Sequence, residues 1–344
     1  MDAFTSADHV RRLTGTWLEA AGLRPRETPS RRIHAQPGFE LRRYGGAADD
    51  GPAILLLPAP IKRAYIWDLA PRVSVVRRCL ERRLRVYLLR WREHGELGLA
   101  DYVDRLLADA VSAIEADSAG GRPVIAGHSL GGTLGALFAA AHPERVRGLV
   151  LLEAPLRFGP DGAGAFGPKV AAAARTQSAT RLSSMVPGTW LGLAATMAAP
   201  DAFVWDRWVD QMASAWDPER LVLHYRVVRW MLDERPLSRR LFDDVVELLY
   251  REDRFMRGTL TLGGQEVRPG RVTAPILAVV DPRSRVVPRA SVRPFLDAAG
   301  TLDTTLLEYG GDTGVALQHL GVLVGPIAHR RLWPQILDWV VRLS

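Results

Sequence analysis

The chain has 344 residues, 47% of them hydrophobic, with a formal net charge of +7. That length accommodates one large α/β domain plus an insertion. No apolar run approaches the roughly 18 residues of a membrane span, and Met1–Arg12 lacks the basic-then-apolar order of a signal peptide. Lys62 and Lys169 are the only lysines. The arginine-rich stretch Arg72–Arg92 is spread over a helix and a strand without aromatic platforms, so it reads as solvated surface rather than a nucleic-acid footprint. Only weak attraction to an acidic polymer, a membrane surface or CoA phosphates is left open. The single Cys79 excludes an internal disulfide and fits a cytoplasmic chain, and its helical setting suits a small buried hydrophobe.

Residues 1–37 read as an N-terminal helix, with Val10, Leu13, Trp17 and Leu18 near helical spacing, followed by a polar connector from Arg24 to Pro37. An α/β core is expected over 38–156 and 252–344. Phe39–Tyr44 roughly alternates, like a half-exposed strand, and Ala53–Leu57 is a continuous apolar run, like a strand buried on both faces. A helix over Ser74–Arg83, a strand to Arg90 and a helix from about Ala100 to Ala116 follow. The strand Pro123–Ala126, the helix-prone Gly132–Ala141 and the strand Gly148–Leu152 come next. Residues 157–251 change character. They are Trp- and Met-rich, helical in pattern, and interrupted at Gly164, Gly167–Pro168, Pro187–Gly188, Pro200 and Pro236. They read as an inserted helical cap whose tryptophans (190, 205, 208, 216, 230) are assigned to its core. Strands resume at Ala274–Val280 and Thr304–Tyr309, and a helix over Leu332–Leu343 closes the chain. This alternation predicts a doubly wound, mainly parallel sheet.

The chemistry centres on Gly127-His128-Ser129-Leu130-Gly131, a G-x-S-x-G elbow between an apolar strand and a small-residue helix. The turn strains the serine, and its neighbours must be glycine for the backbones to pass closely. A serine hydroxyl needs a general base and a third group to orient it. In the α/β-hydrolase fold the histidine comes last, after the final strand, and of the eight histidines His319 is so placed, with His329 as the fallback. His128 is expected to point away from Ser129, and the other histidines read as solvated or packing residues. The acid is open between Asp281, at the end of the Ala274–Val280 strand, and Glu153, at the end of the strand after the elbow. Some α/β-hydrolases, haloalkane dehalogenases among them, place their acid at the latter position. Oxyanion donors are expected from the amides of Leu130 and Ile61, since Pro58 and Pro60 have no N–H. No Cys/His cluster suggests a metal, and no Walker or Rossmann glycine pattern suggests a cofactor.

Pro58-Ala59-Pro60-Ile61-Lys62-Arg63-Ala64-Tyr65-Ile66-Trp67, Ser74, the strand ending Arg90-Trp91-Arg92, Tyr250 through Gly258-Thr259-Leu260, and His319-Leu320-Gly321-Val322-Leu323-Val324-Gly325 together resemble the polyhydroxyalkanoate synthase family. The similarity runs in order over roughly residues 50–344. It implies an α/β-hydrolase core, a cap, and acyl transfer from hydroxyacyl-CoA through a nucleophile–His–Asp triad. Two positions depart from the family pattern. The synthases carry cysteine in the elbow, where this chain has Ser129, and the family's acid position holds Ser284. Serine paired with histidine is the usual equipment for hydrolysis by water, whereas a thiolate suits thioester exchange.

The expected function is therefore a serine hydrolase acting on an ester or thioester with an apolar acyl group, conceivably a hydroxyalkanoate oligomer or acyl-CoA. A synthase-like acyltransferase and a non-catalytic scaffold are the alternatives. The substrate would be a small molecule or polyester, with no nucleic acid and no transmembrane segment. A homodimer or association with polymer granules is compatible with the resemblance.

Overall fold

Four short apolar runs form the middle of the sheet because each is too hydrophobic to face water on either side. These are β3 (Ala53–Leu57), β5 (Val124–His128), β6 (Gly148–Leu152) and β7 (Ile276–Val280), and every residue in them is buried. The computed structural model describes residues 3–46, 50–159, 162, 184–284 and 286–343. With β1 (Ser30–Gln36), β2 (Phe39–Tyr44), β4 (Arg85–Trp91) and β8 (Thr304–Glu308), these runs make one eight-stranded sheet in the order β1-β2-β4-β3-β5-β6-β7-β8. Only the β1–β2 and β2–β4 pairings are antiparallel; the rest run parallel, in register such as Leu55 beside Ile125 and Gly127 beside Leu151.

The strands divide their side chains by the period of two. Ile54, Leu56, Val124, Ala126, Leu277 and Val279 join one core; Leu55, Leu57, Ile125, Ile276, Ala278 and Val280 join the other. Each buried Leu, Ile or Val contributes about 1.5–3 kcal/mol, so the two cores together fix the strand order. Helices α2 (Val75–Glu81), α3 (Ala108–Asp117), α4 (Leu130–Ala141) and others flank the sheet after α1 (Ala3–Ala20). Ser74 caps α2, accepting from the Arg77 amide at 3.0 Å.

The expected polar connector contains β1, which is a correction. Its Ser-Arg-Arg-Ile-His-Ala-Gln sequence has no apolar alternation because the strand lies at the sheet edge, half-exposed and bulged between Arg32 and His34.

Between β6 and β7 the described residues form α5 (Gly188–Ala198), α6 (Asp206–Ser214), α7 (Pro218–Met231), α8 (Arg239–Asp244) and α9 (Arg254–Arg257). A two-residue strand pair joins Met185–Val186 to Leu237–Ser238. Gly164, Gly167, Pro168 and Lys169 lie outside the described residues. The core assignment of the tryptophans needs correcting too. Trp190 and Trp230 are buried, whereas Trp205, Trp208 and Trp216 are 61%, 54% and 94% exposed. Helix α6 is inverted: its buried residues are Asp210 and Ser214, while Trp208, Val209 and Met212 face outward. The polar side is used on the interior, where Asp210 bonds to a loop. Among the described residues no helix is long and apolar enough to cross a membrane.

Candidate active site

Ser129, Glu153 and Asp281 are each the first residue beyond three neighbouring parallel strands, β5, β6 and β7. That edge of a doubly wound sheet is where sites form. Ser129 sits at φ 55°, ψ −132°, outside the ordinary regions for an L-residue and strained by about 1–3 kcal/mol. Its amide donates to the Leu152 carbonyl at 3.0 Å, and its carbonyl accepts from Gly132 at 2.9 Å. The glycines beside it are sterically required. A Cβ on Gly131 would overlap the Leu57 and Pro58 carbonyl groups, and one on Gly132 the Ala154 side chain.

The same close approach brings the start of α4, whose first residue is Leu130, up to Leu57 and Pro58 at the end of β3. Ile61, half-buried in that loop, uses its carbonyl to accept from the Arg235 amide at 3.3 Å. Lys62 is paired with Glu234 at 3.0 Å, and burial lowers its ammonium pKa. Trp230 Nε1 donates to the Arg63 carbonyl at 2.7 Å. The loop after β3 is thus fastened to the end of α7.

His319 lies in the segment following β8, against the elbow: its ring is 4.6 Å from that of His128, and His128 Nε2 lies 2.8 Å from the His319 carbonyl. His319 Nδ1 is 3.5 Å from Glu153 Oε2. Both atoms are buried, and among the described residues neither makes a hydrogen bond, so the approach is a close facing of the two groups. Among the described residues no hydrogen bond joins the Ser129 hydroxyl to His319, a contact that in unliganded sites often tightens only with substrate.

Asp281 is turned differently. Its Oδ1 accepts from the Arg283 amide at 2.9 Å and lies 3.4 Å from Arg283 Nε, while its own amide donates to Glu153 Oε1. Burial raises Glu153 to about 8, against the opposing pull of the Asp281 amide and the Ser284 hydroxyl. Burial also lowers His319 to about 4. The two shifts have one cause, desolvation, which favours the uncharged form of each group. His329, the fallback base, is buried elsewhere with Nε2 2.8 Å from the Leu323 carbonyl.

A cavity of about 800 Å³ opens at His319 and Asp281, with Trp205, Val209, Val286 and Leu317 among its apolar walls and Arg283 and Gln318 among its polar ones. Ser129 does not border it. Among the described residues no three His, Cys, Asp or Glu side chains are grouped to hold a metal ion.

Sequence reasoning passed over Asp210, Asp312 and His224. Asp312 accepts from the Ile327 and Ala328 amides at 2.7 and 3.2 Å and from the Tyr309 hydroxyl at 3.1 Å. Gln318, next to His319, donates to the Asp312 carbonyl at 2.7 Å. Nothing in the local sequence marks Asp210, because it acts on a segment about a hundred residues further along the chain.

Residues 15–304 match the alpha/beta hydrolase family. The chain belongs to that family. It is similar to the poly(3-hydroxyalkanoate) polymerase subunit PhaC of Haloferax mediterranei, 28% identical over 333 residues, covering 92% of this chain. The chain spans 65% of that relative's length. The PhaC subunit of Allochromatium vinosum is 23% identical over 336 residues, covering 94% of this chain and 91% of the relative. The fold is also that of the monoacylglycerol lipase of Paleococcus ferrophilus, at TM-score 0.54 and 15% identity, over 89% of this chain and 99% of the lipase. The chain is thus an α/β-hydrolase that is similar over most of its length to poly(3-hydroxyalkanoate) polymerase subunits.

Proposed function

We propose that this α/β-hydrolase is a serine hydrolase that cleaves an ester or thioester with a sizeable apolar acyl group through an acyl-enzyme on Ser129. The observation that carries the reading is the His319 Nδ1–Glu153 Oε2 approach of 3.5 Å beside the strained elbow. His319 Nε2 takes the proton from Ser129 Oγ as the oxygen attacks the acyl carbon. The amides of Leu130 and Ile61 face the oxygen that becomes negative. When the tetrahedral adduct collapses, the same proton goes to the departing alcohol or thiol. A water molecule, deprotonated by His319, then attacks the acyl-enzyme, and the free acid leaves with Ser129 restored.

Glu153 is the acid of this scheme. What favours it over Asp281 is that Asp281 is engaged by Arg283, whereas Glu153 Oε2 lies 3.5 Å from His319 Nδ1 and makes no hydrogen bond among the described residues. Ser284, at the synthase family's acid position, has its hydroxyl directed at Glu153, so an acid on β6 stands in for one after β7. The cavity at His319 has room for an acyl chain, and its Trp205, Val209 and Leu317 walls suit an apolar one.

The similarity to polymerase subunits over more than nine-tenths of the chain favours a second reading, in which Ser129 passes hydroxyacyl groups from CoA to a growing chain. Fluorophosphonate labelling followed by product analysis with a hydroxyacyl-CoA tests both. Modification of Ser129 with release of free acid and CoA is the expected result. Polymer in place of free acid gives the transferase, and an unlabelled Ser129 beside a labelled control hydrolase removes the serine mechanism altogether.

A further inference from the structure

The loop that delivers His319 is held by a polar pair from outside the sheet. Between β8 and His319 the backbone turns through positive φ at Gly311, Gly314 and Ala316, the last at 58°. A side-chain-bearing residue keeps that conformation only when its surroundings impose it. Here they do. Asp210 of α6 accepts from the Gly314 amide with Oδ1 and from the Ala316 amide with Oδ2, both at 2.8 Å. The carboxylate is 6% exposed and takes a third contact from His224 of α7, whose Nδ1 lies 2.7 Å from Oδ2. Gly314 is also pressed against the Arg220 backbone, leaving no space for a Cβ. Three residues beyond Ala316, the His319 carbonyl receives the His128 ring. The segment is therefore pinned at both ends, by the elbow on one side and by α6 and α7 on the other.

Neither Asp210 nor His224 reaches the reacting atoms. We infer that Asp210, oriented by His224, is a positioning residue: it fixes the backbone of 314–316 so that the imidazole of His319 keeps Nδ1 toward Glu153 and Nε2 toward Ser129. This rests on the reading of His319 as general base. Catalysis by a positioned group is steep in distance, and a displacement of about 1 Å from a remote change can cost about 10²-fold. A buried carboxylate with three donors holds its loop more stiffly than apolar packing would, since each donor fixes a direction as well as a distance.

The rate of Ser129 phosphonylation by a fluorophosphonate probe, followed against pH, measures the action of His319 without knowledge of the natural substrate. Asp210→Asn is expected to slow labelling about 10²-fold and to shift the pH midpoint. His224→Phe should slow it as well, and His224→Asn, which returns an N–H near the position of Nδ1, should restore most of the rate. If Asp210→Asn does not fold, the His224 pair decides alone. Wild-type rates and midpoints in Asp210→Asn and His224→Phe, with His319→Ala slow, overturn the positioning role. So does a slowing that follows lost thermal stability, with the midpoint unmoved and no recovery in His224→Asn. A His319→Ala variant labelled as fast as wild type, or a wild type not labelled at Ser129, instead removes the underlying reading of the site.

Discussion

The elbow and the histidine loop bring their residues to one place by different means. Ser129 is placed by backbone alone: the end of β5, the start of α4, and glycines that let both press on the Pro58 loop and on Ala154. His319 is placed by side chains, from His128, Gln318, Asp312 and Asp210, reaching in from several elements. The first arrangement is local and packed, and the second is distributed and hydrogen-bonded. A local arrangement tolerates almost no added volume. A distributed one has room for volume at some positions, such as Gly310, but not at Gly314, and depends on individual polar atoms.

Removing the chemistry from each side should give the largest effects. Ser129→Ala is expected to lower ester hydrolysis at least about 10⁴-fold, since it removes the hydroxyl that forms the acyl-enzyme. Glu153→Gln should lower it by about 10³-fold, because a carboxyl group can ionise as the imidazole becomes protonated and an amide cannot. Asp281→Asn, which keeps the backbone amide that donates to Glu153, is expected to stay within about tenfold of wild type. Initial rates on a p-nitrophenyl ester rank the three. A larger loss in Asp281→Asn than in Glu153→Gln would reverse the assignment of the acid.

The contrast in packing gives the next effect. Gly131→Ala drives a Cβ into the Leu57 and Pro58 carbonyl groups, and overpacking of that kind costs about 1–3 kcal/mol. Gly310→Ala, in the histidine loop, meets nothing within 4 Å and should stay within about 0.5 kcal/mol. Urea unfolding of the two variants checks the difference. Equal losses would mean that the loop is as tightly packed as the elbow.

The same distinction explains what could be read from the chain. The pentapeptide around Ser129 and the apolar runs of β3, β5, β6 and β7 were legible because their burial on both faces is written into contiguous residues. The placement of His319 beside the elbow was legible by its order after the last strand. Which of Glu153 and Asp281 approaches it was not, because that depends on which carboxylate Arg283 engages. Strand β1 was hidden by its arginines at a half-exposed edge. Trp208 misled because α6 turns Asp210 inward instead, an inversion that the distant Gly314 and Ala316 amides explain.

The smallest effect concerns the proton that burial keeps on Glu153 and appears in stability rather than rate. Glu153, raised to about 8 in the fold, has an ordinary value near 4.3 when unfolded. The folded chain therefore keeps a proton that the unfolded chain loses, and the stabilisation from that proton fades as pH rises toward 8. His319, lowered to about 4, runs the opposite way: unfolded it takes up a proton below about 6.5, so its contribution is lost as pH falls through that range. Between about 4.3 and 6.5 the two slopes oppose each other. Between about 6.5 and 8 only the Glu153 slope is left, at most about 1.4 kcal/mol per pH unit. Unfolding free energies of wild type and Glu153→Gln across pH 6.5 to 8 isolate it, because every other titrating group is common to both chains. The wild-type curve should fall relative to the variant as pH rises. Parallel curves would mean that the buried pair keeps no extra proton, and that Glu153 faces His319 already ionised.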